Sequence, residues 1–354
     1  TCLNVGCIPT KMYVYAADIA LAAREAGRLG LDAQVNSVDW NSIVDRVFNN
    51  RIDQIAQGGE QYRRGEETPN ITVYDEHARF VGPKTIQTGN HVISGDQIVI
   101  AAGSRPVIPE VYADSGIKYY TNEDIMRMDH QPESLIVVGG GYIAMEFAHV
   151  FDGLGTKVTV VNRSETLLRH LDDDISRRFN QIARDRFDVR IANGTKLEKT
   201  DNGVRLELDN GESVEAEAIL VATGRTPNGD QMDLDKAGIK LLADARVSTD
   251  EFGRTTAEGV WALGDVSSPY MLKHVANAET RAVQHNLLHP EDLRPLPHDN
   301  VPAAIFTHPQ IATVGLTEKQ ARQKGFDVTV KVQNFGDVAY GWAMEDSTGI
   351  CKLV

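Results

Sequence analysis

The chain has 354 residues, 42% of them hydrophobic, which is enough for two or three domains with ample core. Its 36 basic against 50 acidic residues leave a formal charge of −14, which argues against nucleic acid and anionic membranes as main partners. No stretch approaches a transmembrane run, and three cysteines are too few for a secreted disulfide framework and suit a reducing, cytoplasmic compartment.

The first residues read Thr1-Cys2-Leu3-Asn4-Val5-Gly6-Cys7-Ile8-Pro9-Thr10-Lys11, without a leading Met, and the last, Cys351-Lys352-Leu353-Val354, fall in an apparent strand. A piece of a longer protein, cut at both ends, is therefore expected. A helical pattern runs from 11 to about 28. Cys7 lies near the N-terminus of that helix, with Pro9 where a first-turn proline is tolerated. That end carries partial positive charge, which favours thiolate over thiol. Lys11 is one turn beyond Cys7 and points the same way. Residues five apart in an ideal helix are about 8–9 Å apart, too far for a disulfide. If the two cysteines pair, the backbone must leave regular helix between them, and Gly6 is the natural place. On spacing alone they read as two buried thiols or as a disulfide. Zinc would want four ligands, and no second Cys or His pair stands at ligand spacing.

A second long helix is expected from 40 to about 64, capped by Ser37 or Asp39, with Ile43, Val44, Val47, Phe48, Ile52 and Ile55 at helical spacing. From Ile71 the period changes to two. Strands are expected at 71–74, 78–81, 85–88, 91–93 and 97–101, separated by Gly and Pro turns. The last run enters Ala101-Ala102-Gly103-Ser104-Arg105-Pro106, where Gly103 lets the backbone approach a ligand closely.

Residues 135–138 form a continuous apolar run, as in a buried parallel strand. Gly139-Gly140-Gly141-Tyr142-Ile143-Ala144 then fits G-x-G-x-x-A. Phe147, Ala148, Val150, Phe151 and Leu154 give a helix face, Gly155 ends it, and 157–161 is the next strand. In that context the glycines form a dinucleotide fingerprint, admitting a pyrophosphate to the helix N-terminus. NAD sites place a carboxylate at the end of the second strand. Here stand Asn162 and Arg163, with Arg169 further on, which suits the 2′-phosphate of NADPH. The alternative is a pair of solvated arginines.

Asp172-Asp173-Asp174 starts another helix. Strands follow at 189–192, 204–208 and 218–222. The last enters Ala222-Thr223-Gly224-Arg225-Thr226-Pro227, an echo of 101–106 that suggests two domains of similar build. In Gly259-Val260-Trp261-Ala262-Leu263-Gly264-Asp265-Val266 a strand delivers Asp265 to a loop before a helix (about 271–288). A carboxylate there can accept hydrogen bonds from sugar or ribityl hydroxyls. Pro290, Pro295 and Pro297 mark a linker. Ala303-Ala304-Ile305-Phe306-Thr307-His308-Pro309 begins a third unit, with a helix near 317–324 and a strand near 328–332.

The string from Cys2 to Lys11 resembles the redox-active disulfide motif of the flavin-dependent pyridine nucleotide–disulfide oxidoreductases, the class containing glutathione reductase and lipoamide dehydrogenase. Residues 259–266 resemble its second FAD motif, and the order of motifs along the whole chain is similar to that family's. The resemblance implies an α/β fold. Two Rossmann-like three-layer nucleotide-binding domains, FAD-binding (1–132 and 259–296) and NAD(P)-binding (133–258), would precede the start of an α+β dimerisation domain (297–354). It also implies a homodimer that holds FAD, uses NADPH and has no metal site.

Within the family, the strings at 1–18, 167–173, 262–277 and 336–346 resemble the branch that reduces mycothione, the disulfide of the small thiol mycothiol. By this resemblance Cys2 and Cys7 form the redox disulfide, with Cys2 attacking substrate and Cys7 beside the flavin. Lys11 and Glu146 would pair near the flavin's reactive nitrogen. FAD would be bound by Lys11, Ala102, Gly103, Gly264, Asp265, Lys273 and His274. NADPH would be bound by Gly139, Gly141, Tyr142 (gating the nicotinamide), Ile143, Glu146, Asn162, Arg163, Arg169, Thr223, Gly224 and Arg225. Tyr13 and Tyr15 are candidates for substrate contact.

The family's proton-donating His-Pro-x-x-x-Glu is not matched. His289-Pro290 and His308-Pro309 have Arg294 and Thr313 where the Glu belongs. The family's first Gly-x-Gly is also absent, so poor FAD binding by this stretch alone is expected. Rival readings are another member of the family (lipoamide dehydrogenase, glutathione or mercuric reductase type) and a non-enzymatic dinucleotide-binding redox sensor.

Overall fold

The computed structural model describes residues 2–354. The chain forms two compact units, one of residues 2–54, 107–224 and 302–354, the other of residues 55–106 and 225–301. No helix among the described residues is long and apolar enough to cross a membrane.

The first unit is built on a four-stranded parallel sheet in the order Ala218–Val221, Ser134–Val138, Lys157–Asn162, Asp188–Ile191. Leu135 to Val138 are all buried, and successive side chains of a strand point to opposite faces. Leu135 and Val137 meet Phe147, Phe151 and Phe179 of the helices Tyr142–Leu154 and Asp173–Arg186. Ile136 and Val138 meet Leu197, Val204 and Leu206 of a three-stranded antiparallel sheet. Helices, parallel sheet and antiparallel sheet are the three expected layers. Two strands of the third, Gly194–Thr200 and Ser213–Ala216, escape a sequence reading because their outward positions are Lys and Glu.

The helix Cys7–Glu25 belongs to this unit and lies on Tyr142–Leu154. Their approach depends on Gly153, where an added Cβ would stand 2.8 Å from the Ala17 Cβ. Tyr13, Trp40 and Phe151 continue the contact, with ring centroids 5.3 and 5.5 Å apart. The long second helix exists, but a π-helical turn at Phe48–Ile52 separates Trp40–Val47 from Asp53–Arg64. Asp39 and not Ser37 caps it, accepting the Ser42 N–H at 2.9 Å, as an N-cap carboxylate does.

Towards the chain's end Ala303–Ile305 pairs with Ile311–Thr313, and Lys331–Asn334 with Ile350–Leu353. That pairing sets the strand at 331–334 rather than 328–332. Thr317 and Gln320 form a capping box on the helix Glu318–Gln323. The Lys352 side chain, only 5% exposed, reaches Asp172 at 2.9 Å, Asp174 at 2.6 Å and Glu318 at 2.8 Å.

In the second unit Ile98–Ile100 pairs in parallel with Val260–Ala262, beside a meander of Ala78–Gly82, Thr85–Thr88 and His91–Ser94. The core gathers Phe80, Ile100, Leu234, Val247, Val260, Ala262 and Val266. The expected strand at 71–74 is irregular and has no buried residue: its alternation of apolar and polar residues finds no neighbouring strand. The two echoing turns hydrogen-bond to one another, Arg225–Pro227 running antiparallel to Ser104–Pro106.

Candidate active site

Cys2 and Cys7 are joined as a disulfide with their Cα atoms 4.9 Å apart, inside the ordinary range for such a bond. The helix begins at Cys7 itself, with Gly6 as its N-cap, four residues before the apolar spacing becomes readable. Backbone bonds make this start: Ile8 N–H donates to Cys2 O and Thr10 N–H to Gly6 O, both at 3.1 Å. Asn122 donates to Val5 O at 3.1 Å and ties the loop down. Cys7 is exposed in the first turn, where the helix end favours a thiolate once the bond is reduced.

Lys11 and Glu146 do not form the expected ion pair. Both meet Phe306 instead. The Lys11 ammonium lies 3.5 Å from the centre of the Phe306 ring, a cation–π contact, and the Glu146 carboxylate accepts the Phe306 N–H at 2.9 Å. Burial pushes the Glu146 carboxyl up to about 7, against the Phe306 N–H and the Lys11 charge, which pull it down. A carboxyl poised there can hold or release a proton near neutral pH. Phe306 stands in the Ile-Phe-Thr-His run of residues 305–308, and only a long-range contact could have marked it as part of the site. Tyr13 is fully buried and donates to Met126 O at 2.6 Å, so it is a core residue rather than a substrate contact. Tyr15 is 63% exposed.

The dinucleotide turn follows in the same unit. Gly139 has φ +125°, and its N–H donates to Val161 O at 2.9 Å. A Cβ there would overlap Ala222 O, and one on Gly140 would stand 2.7 Å from the Asn162 side chain. These two glycines therefore close the strands around the turn. Gly141 faces open space, as does Gly224 with φ +143°. Gly141 is the N-cap of the helix beginning at Tyr142, and no side chain caps it. A helix N-terminus without a side-chain cap, above an open floor, fits a pyrophosphate. Ile143 is partly buried, and Thr223 donates to Val107 O at 2.7 Å. Asn162 turns inward to Ser164 O at 2.6 Å, whereas Arg163 and Arg169 are exposed. Leu168, between them, donates to Gly140 O at 2.7 Å, which holds the arginine loop against the glycine turn.

Lys11 apart, the residues expected at FAD lie in the other unit. Gly103 has φ +70° with open space beside it, and Gly264 has φ +72°. Asp265 accepts from the Ser104 hydroxyl at 2.7 Å, Arg225 donates to the same hydroxyl at 2.8 Å, and Asn228 donates to Ala102 O at 2.9 Å. Arg225 thus braces the Gly103 and Asp265 turns, a role that its place after the second Ala-x-Gly hid. Lys273 and His274 open the helix Lys273–Leu288, which has no side-chain cap, and Lys273 bonds Asn277 one turn on. A left-handed glycine, an acceptor carboxylate and an uncapped helix N-terminus together fit the ribityl and phosphate parts of a flavin dinucleotide.

A family profile described as pyridine nucleotide-disulphide oxidoreductase matches residues 1–282, and the dimerisation domain of the same class matches residues 301–354. The chain belongs to the pyridine nucleotide-disulphide oxidoreductase family. It is an oxidoreductase whose cofactors are FAD and NADPH. Among its relatives, the mycothione reductase of Mycobacterium tuberculosis (strain ATCC 25618 / H37Rv) is 53% identical over 367 residues, covering all of this chain and 79% of that protein. A glutathione reductase of Burkholderia cepacia is 30% identical over 356 residues, covering all of this chain and 78% of its own length. Among solved structures, the HOCl-induced flavoprotein disulfide reductase RclA from Escherichia coli is similar with a TM-score of 0.83 and 28% identity, over 99% of this chain and 77% of that one.

Proposed function

We propose that this oxidoreductase uses NADPH to reduce mycothione to two mycothiols through Cys2 and Cys7, as a homodimer in a reducing cytoplasm. One observation carries the reading: a formed disulfide at a helix N-terminus shares a unit with a dinucleotide turn flanked by two arginines that have no ion-pair partner among the described residues. The 53% identity to a mycothione reductase supports the substrate.

FAD, when bound, supplies the two-electron relay from nicotinamide to disulfide. The chain's residues do the rest. Gly139–Gly141 and the Tyr142 helix end receive the pyrophosphate, and Arg163 and Arg169 receive the 2′-phosphate. Reduction by two electrons opens Cys2–Cys7. The Cys2 thiolate then attacks one sulfur of the substrate disulfide, forming a mixed disulfide and releasing the first thiol. Cys7 attacks the Cys2 sulfur, which restores the internal disulfide and releases the second. Glu146, bound to the Phe306 N–H, can hold or release a proton near neutral pH.

Steady-state turnover of the holoenzyme tests the reading, with mycothione, glutathione disulfide and lipoamide compared at equal concentration. We expect kcat/KM to be highest for mycothione, and no preference for it would defeat the substrate assignment. Cys2→Ser and Cys7→Ser should each abolish turnover. Arg163→Ala should raise the KM for NADPH, by about tenfold for one lost phosphate contact, and leave that for NADH unchanged.

A further inference from the structure

Glu279 has no part in the chemistry above, yet its residue is 0% exposed. A charged carboxylate in such a place is kept only with partners, and it has two. One oxygen accepts the Gly264 N–H at 2.6 Å. The other is 2.6 Å from the His298 Nε2, and the His298 ring stands edge-on to Tyr270 at 5.4 Å. Gly264 has φ +72°, and its carbonyl accepts the N–H groups of Ser267 and Ser268 at 2.9 and 2.8 Å. Glu279 thus holds the Leu263–Gly264 peptide by its N–H, and Ser267 and Ser268 hold the Gly264–Asp265 peptide by its carbonyl, so the turn has one orientation, in which the Asp265 carboxylate meets Ser104.

We infer that Glu279, held by His298, is a positioning residue that fixes the Gly264–Asp265 turn in the form that binds FAD. It touches no cofactor atom and acts through the backbone of Gly264. The inference rests on the reading of Gly264–Asp265 as part of the FAD site.

The test is FAD affinity, measured by titrating flavin into the apoprotein and following flavin fluorescence. Glu279→Ala leaves the Gly264 N–H buried without an acceptor, and we expect FAD to bind about tenfold more weakly or worse. Glu279→Gln keeps an acceptor oxygen and should stay within about threefold of the unmodified protein. His298→Phe keeps the ring against Tyr270 and removes the bond that orients Glu279, so an intermediate loss is expected even if Glu279→Ala does not fold. Asn286→Ala is the structural control. Asn286 lies on the same helix, equally buried, and among the described residues its side chain bonds only Phe252 and Arg294 backbone; FAD affinity should hold there. Unchanged affinity in Glu279→Ala, or in His298→Phe should Glu279→Ala not fold, overturns the clamp. So does an equal loss in Asn286→Ala. Asp265→Ala reports on the underlying assignment: full FAD affinity there overturns the turn's role and the clamp with it, whereas loss there with full affinity in Glu279→Ala overturns the clamp alone.

Discussion

Glu146 sits where burial and charge oppose each other. Burial raises its carboxyl from an ordinary 4.5 to about 7, against the Phe306 N–H and the Lys11 charge, which pull it down. A carboxyl whose folded value is raised binds its proton more tightly in the folded state. Its effect on stability is therefore nil well below 4.5, turns unfavourable as pH rises, and is complete above about 7. Glu146→Gln removes this dependence. Urea unfolding at pH 5 and pH 8 should show the variant gaining about 2 kcal/mol on the parent between the two, of the order that such a shift implies; equal slopes against pH would contradict the assignment. Phe306→Leu removes the ring and lets Lys11 reach the carboxylate. The midpoint of the Glu146 titration, followed by carboxyl NMR, should then fall towards the usual carboxylate range. Lys11 and Glu146 are each legible in a local motif, but a residue 160 positions away in the chain gives no local sign that it stands between them.

The disulfide helix is held from behind by its packing on the helix after the glycine turn. Gly153 is the point of contact, with the Ala17 Cβ, O and Cα at 2.8, 3.2 and 3.3 Å from an added Cβ. None of these is the end of a flexible side chain, so the two helices must separate. Gly153→Val should destabilise the protein by about 1–3 kcal/mol, as overpacking does, read as a lower urea midpoint with unchanged slope. Elements with a strong period were legible along the chain: the buried strand at 134–138, the helix after it and the long helix from 40 all stand near their expected places. What escaped had a reason that lies outside the segment. The 71–74 run alternates without a partner strand, the disulfide helix starts on backbone bonds that its apolar pattern does not report, and Lys- and Glu-rich strands such as 194–200 hide their buried face.

At the scale of the molecule, one buried cation gathers three segments distant in sequence. Lys352 binds Asp172 and Asp174 at the start of the helix Asp173–Arg186, and Glu318 at the start of Glu318–Gln323. The carboxylates keep Lys352 protonated well above its ordinary range, and they would repel one another without it. Lys352→Met should cost about 2–3 kcal/mol, less than a wholly buried pair because Asp174 and Glu318 are partly in water. Thermal unfolding at low and high salt should show a smaller loss at high salt, where the carboxylates are screened. The aspartates were visible as a helix start and Lys352 as a strand residue, but nothing in either stretch announces the other. The pairing of the two Ala-x-Gly turns has the same character and bears on how the chain comes off the ribosome. Ser104–Pro106 waits for Arg225–Pro227, so all of 107–224 must be synthesised before that ladder can close. Closing so long a loop costs only slightly more than closing a short one. The delay is thus one of translation rather than of free energy, and the dinucleotide turn, whose strands all lie between 134 and 221, has its sheet residues available before Asp265 has been made.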